Sequence, residues 1–176
     1  MHRYEPRDDL AFRLLRDGPV TLFWRPRLMI EATDWLNDHG YQVVRLAARE
    51  WSSDRDMHAA VAAALDFPDY YGRNLDALND CLRDVVSHDY GWSPDSAGLA
   101  IVFTGYDAYT ARNPRSAQIV LDLLADHSRV AMLFGRPLVV LVQSDDPDVR
   151  FEPVGASSAH WNEAEWLNSN RGTGNA

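Results

Sequence analysis

Tyr70-Tyr71-Gly72-Arg73-Asn74-Leu75-Asp76-Ala77-Leu78-Asn79-Asp80-Cys81-Leu82 is an aromatic and glycine loop running into an amphipathic segment. Its period predicts a helix over 74–87. At about 100° per residue, Leu75, Leu78, Cys81, Leu82, Val85 and Val86 share one face, which reads as core. Asp76, Asn79, Asp80, Arg83 and Asp84 share the opposite face. Asn74 reads as the N-cap, and Asp76 falls in the first turn, where the helix dipole favours an acid. Asp76, Asp80 and Asp84 follow at i, i+4 and i+8, which stacks three like charges on one stripe. Each such pair costs an isolated helix about 0.2–0.5 kcal/mol, and Asp is a poor helix former. A helix that keeps this stripe is expected to present negative charge to a partner.

Working outward, strands alternate with helices. Residues 5–17 read as a short helix stopped by Gly18-Pro19. Val20 to Trp24 reads as a strand, Leu28 to His39 as a helix closed by Gly40, and Tyr41 to Leu46 as a second strand. An Ala-rich helix starts at Asp54 and ends at Pro68. After the acidic helix come a loop, a third strand over Leu99 to Thr104, a long helix over 113–134 begun by Asn113-Pro114, and a fourth strand over Leu138 to Gln143. The strands are continuous apolar runs, as buried parallel strands are. The expected fold is therefore α/β, a mostly parallel sheet of about four strands with flanking helices. Trp161 and Trp166 are expected to pack back on the domain. The organisation expected is a single domain over 1–160, with 1–40 an N-terminal β-α extension of a 41–144 core. A partly disordered tail over 161–176 follows.

Of the net charge of −9, residues 66–126 carry −6, ten acids against four Arg. Such a field repels nucleic acid and attracts basic partners. No apolar run approaches the length of a membrane span, and the first residues show no secretory h-region. Cys81 is the one cysteine, so no disulfide forms within the chain; a cytoplasmic location is expected.

The enzyme motifs are missing: no G-x-S-x-G, H-E-x-x-H, P-loop or G-x-G-x-x-G occurs, and the six His have no metal spacing. No cofactor is expected. Asp76 and Asp80 could share a divalent cation, which keeps open a metal-dependent enzyme acting on a phosphorylated substrate. An acidic module binding a non-nuclease protein is a third reading. Of the two tyrosines, Tyr71 is expected inside and Tyr70 outside. Asp145-Asp146-Pro147-Asp148 reads as a solvated turn.

The stretch from Phe67 to Leu82 closely resembles the signature of the barstar family of ribonuclease inhibitors, and the element order from about 41 to 144 is similar to that family's. The resemblance implies a barstar-like fold extended at its N-terminus, and a protein that plugs the active site of a basic microbial ribonuclease. It implies that Tyr70, Gly72 and Asn74 belong to the loop that meets the nuclease. Asp76 and Asp80 would engage the nuclease's basic side chains in place of RNA phosphates. Asp126 corresponds to a further acidic contact on the following helix. Asn79 stands where the best-known member has Trp, Arg73 replaces an acid, and Arg83 replaces a small polar residue. Asn79 and Arg83 thus fall at the expected interface and are expected to set partner choice. The expected partner is a basic ribonuclease, with no direct contact to nucleic acid or membrane.

Overall fold

The computed structural model describes residues 9–172. Its centre is a five-stranded, wholly parallel sheet in the order β2-β3-β4-β1-β5. The strands are β1 (Val20–Phe23), β2 (Tyr41–Ala47), β3 (Gly98–Thr104), β4 (Leu138–Gln143) and β5 (His160–Trp161). The helices are α1 (Leu10–Arg16), α2 (Pro26–Asp38), α3 (Asp54–Ala64), α4 (Leu75–Val86), α5 (Tyr106–Arg112), α6 (Pro114–Leu133) and α7 (Asn168–Gly172). No described helix is long and apolar enough to cross a membrane.

Side chains of a strand point alternately to its two faces, and both faces of this sheet are covered. Leu99, Ile101 and Phe103 of β3, with Leu138, Val140 and Val142 of β4, enter the larger core with α3, α4 and α6. Ala100 and Val102, with Val139 and Leu141, enter a smaller core with α1 and α2. This double cover is why the strands read as unbroken apolar runs. Fully burying one such aliphatic side chain contributes about 1.5–3 kcal/mol.

The N-terminal β-α unit joins the sheet, β1 pairing with β4 from Val20↔Val140 to Phe23↔Gln143. Asp9 caps α1 by accepting from the backbone N–H groups of Ala11 and Phe12 at 2.9 and 3.2 Å. Residues 5–8 of the helix expected over 5–17 lie outside the described residues.

Three features differ from the sequence reading. The sheet has five strands where about four were expected, because the free edge of β1 is taken by His160–Trp161. A two-residue strand carries no period of its own, so only the available edge defines it. Secondly, the segment expected as a partly disordered tail from 161 is pinned down as far as 172. Buried Glu165 accepts from the N–H groups of Trp24 and Arg25, both at 2.8 Å. Buried Arg171 donates to the carbonyls of Pro147, Glu165 and Trp166 and lies 4.2 Å over the Trp161 ring. Trp161 therefore packs back, while Trp166 stays 68% exposed, contrary to expectation. Residues 173–176 lie outside the described ones. Thirdly, α5 is inserted after β3. Gly105 opens it in the left-handed region at φ 60°, where a Cβ would meet that of Arg49 at 2.6 Å. Tyr106 and Tyr109 are fully buried, but two aromatics are too few to show a period.

Candidate functional site

The loop before α4 is held from inside by Tyr71. Its ring packs edge-on against Phe67, with centroids 4.9 Å apart, and its hydroxyl meets His58 Nδ1 on α3 at 2.5 Å. Burial raises the pKa of the Tyr71 hydroxyl and lowers that of His58. With Tyr71 anchored inward, the adjacent Tyr70 points outward and is 79% exposed. Arg73 takes a left-handed turn at φ 50°.

Asn74 caps α4 as expected, its Oδ1 accepting from Ala77 N–H at 2.8 Å. Its Nδ2 donates back to the Gly72 carbonyl at 3.4 Å. Asn74 and exposed Gly72 thus shape the turn that launches the helix; the cap already occupies the Asn74 side chain. On the core side of α4, Leu78, Cys81, Leu82, Val85 and Val86 are buried.

The outward face divides into distinct environments. Asp76 is exposed in the first turn, and no cation among the described residues forms an ion pair with it. It stands at one edge of an open cavity of about 600 Å³ whose walls include Arg55, Arg73 and Arg115. Asp80 is exposed and pairs with Arg83 at 3.1 Å, the i, i+3 contact that the helix makes available. Asp84 leaves the stripe: it is half-buried and accepts from the Tyr90 hydroxyl at 3.0 Å. The stripe therefore presents two exposed carboxylates, Asp76 and the Arg83-paired Asp80, with the third bound to Tyr90.

Asn79 bridges to the next helix. His127 of α6 donates from Nε2 to Asn79 Oδ1 at 2.9 Å. Burial lowers the pKa of His127 and nearby Arg83 adds to that, while the Asn79 bond and Asp126 oppose it. Asp126, next to His127, is exposed and pairs with Arg129 at 2.7 Å. The structure thus brings Asp76, Asn79, Asp80 and Arg83 onto one face of α4, and joins Asn79 to the turn of α6 that holds Asp126. Tyr70 and Gly72 lie in the loop that enters the same helix.

His58, His127, Arg55 and Arg115 were not among the expected site residues. His127 had a readable signal: it falls on the α6 stripe of Val120, Leu124 and Ala131, all buried. His58 had the same kind of signal, on the buried α3 stripe of Met57 and Val61; Arg55 and Arg115 had none, since only packing of α3 and α6 beside α4 brings them near. Among the described residues, no group of three or more His, Cys, Asp or Glu is placed to hold a metal ion.

Residues 41–143 match the family model for Barstar (barnase inhibitor). That span holds β2, α3, α4, β3, α5, α6 and β4; β1, β5 and the helices beside them lie outside it. Over 38 residues the chain is 56% identical to a protein of Bacillus subtilis (strain 168) named "Putative ribonuclease inhibitor YrdF". That match covers 22% of this chain and 42% of the relative, so the chain spans under half the length of this curated relative. With the family model covering more than half of it, this chain belongs to the barstar family.

Proposed function

We propose that this protein inhibits a basic microbial ribonuclease by docking α4 and its preceding loop into the enzyme's active site. The observation that carries this reading is the pair Asp76 and Asp80, exposed on one face of a helix whose opposite face is locked in the core. Each carboxylate accepts charge-assisted hydrogen bonds from basic side chains of the nuclease, bidentate where the donor is Arg. Tyr70 adds a rigid, exposed aromatic surface at the edge, and Asp126 a further acid from α6. Gly72 and Asn74 hold the loop in shape, while Asn79 and Arg83 tune which nuclease fits. The protein is a binding partner and not a catalyst, and it uses no cofactor. It acts in the cytoplasm, a reading supported by its single, buried thiol, Cys81.

The test is an inhibition panel of small basic microbial ribonucleases with wild type, Asp76→Ala and Asp80→Ala. Wild type is expected to inhibit at least one enzyme stoichiometrically. Each substitution is expected to weaken that complex by about 2–5 kcal/mol, the range for truncating one member of a buried charge pair. Unchanged inhibition by Asp80→Ala, or a large drop in its melting temperature, would overturn the assignment.

A further inference from the structure

A second cleft, of about 410 Å³, lies beyond the far end of α4, where the chain after it meets the end of α6. Arg83, His88, His127 and Arg136 line it, with Val130 and Phe134, and no carboxylate does. That is unusual in a chain of net charge −9. Among the described residues four buried side-chain polar atoms lack any hydrogen-bond partner, and three belong to this wall: His88 Nε2, His127 Nδ1 and Arg136 Nε. Buried polar atoms are normally paired, so three orphans at one cleft mark a place where a ligand would complete the bonding. Arg136 forms no ion pair with a described acid; it rests 5.5 Å from the Trp92 ring centroid, its Nη2 near two backbone carbonyls.

The hydrogen-bond roles of these atoms select the ligand. His88 Nδ1 must donate to the Trp92 carbonyl, at 3.1 Å, so its free Nε2 is an acceptor while the ring is neutral. His127 donates from Nε2 to Asn79, which leaves Nδ1 as a second acceptor. Arg136 Nε is a donor, and exposed Arg83 supplies more. A carboxylate only accepts and would leave the imidazole nitrogens unpaired. A phosphate monoester as its monoanion, below a second pKa near 6, offers P–O⁻ acceptors to the arginines and one P–OH donor to one of the two imidazoles. Val130 and Phe134, 41% and 75% exposed, provide an apolar lip. The volume falls within the usual small-molecule range of about 300–1,000 Å³. We propose that this cleft binds a phosphate monoester carrying an apolar group. The cleft shares Arg83 with the proposed docking face, and its test needs no nuclease.

The test is a titration with phenyl phosphate, followed by calorimetry and by the His ring proton signals in NMR. Wild type is expected to bind one equivalent saturably, moving the His88 and His127 signals, and to prefer phenyl phosphate to inorganic phosphate, benzoate and benzyl alcohol. Arg136→Gln is expected to weaken binding about tenfold or more, the loss of a charge-assisted bond. Should that variant unfold, Arg83→Gln, at an exposed guanidinium, takes its place. Phe134→Ser, also at an exposed position, is expected to abolish the preference over inorganic phosphate. No saturable binding by folded wild type would overturn the proposal. So would benzoate binding as tightly as phenyl phosphate, or equal affinity for phenyl phosphate in wild type and the folded arginine variant.

Discussion

His127 Nε2 lies 2.9 Å from Asn79 Oδ1 and so ties α6 to α4 beside Asp80 and Asp126. Asn79 is therefore a structural link as well as a surface residue. Asn79→Ala leaves a buried imidazole N–H without its acceptor and is expected to destabilise the fold by about 1–3 kcal/mol. Asn79→Trp, which supplies an aromatic surface at the same position, is expected to carry the same loss of stability. Urea midpoints of the two variants check this; wild-type midpoints would show that the bond contributes nothing.

Stability is expected to fall as the solution is acidified from about pH 6.5. Burial first of all lowers the pKa of both His58 and His127 below the usual 6.5. The unfolded chain then takes up protons that the folded chain refuses, which favours unfolding until the folded values are passed. His58→Gln and His127→Gln are each expected to flatten this acid limb, measured as melting temperature against pH. An unaltered slope in the double variant would assign the limb to other groups. Asp56, whose pKa is lowered chiefly by the Ser52 N–H bond, acts in a lower window: its contribution is present above pH 3.8 and lost below.

The adjacent tyrosines are expected to separate stability from binding. Tyr71→Phe removes the hydroxyl bonded to His58 and should cost about 1 kcal/mol of stability. Tyr70→Ala, at a 79% exposed side chain, should change stability by no more than about 0.5 kcal/mol while weakening the nuclease complex. Thermal melts beside inhibition assays read both. A destabilised Tyr70→Ala with intact inhibition would place Tyr70 in a structural role.

Arg83→Thr should free Asp80 from its pair at 3.1 Å and remove a positive charge from the docking face. Both partners are more than half exposed, so stability should move by no more than about 1 kcal/mol. Association with a basic nuclease is expected to quicken and become more sensitive to salt, since the field that steers it becomes more negative. Stopped-flow on-rates across a salt series check this. An on-rate equal to that of wild type would show that Arg83 does not hold Asp80 back.

Much of the central unit was legible because its signals are local. The cap at Asn74 and the core face of α4 follow from side-chain chemistry within one turn, and the Arg83–Asp80 pair from i, i+3 spacing. The fate of Asp84 was not legible, since its partner Tyr90 comes from the loop that folds back after the helix. Likewise the environment of Asp76 depends on Arg55 and Arg115, brought near from α3 and α6.

By itself the sequence determined the alternation of buried strands with amphipathic helices, the loop that begins at Tyr70, and the acidic face of α4. Periodicity, capping and charge spacing act over a few residues and need no partner from elsewhere. Only the tertiary structure decided that β1 lies between β4 and β5, that Glu165 and Arg171 pin the segment after β5, and that His127 closes on Asn79. Those choices depend on which strand edge and which buried donor remain unpaired once the core has formed, and no local window of residues contains that information.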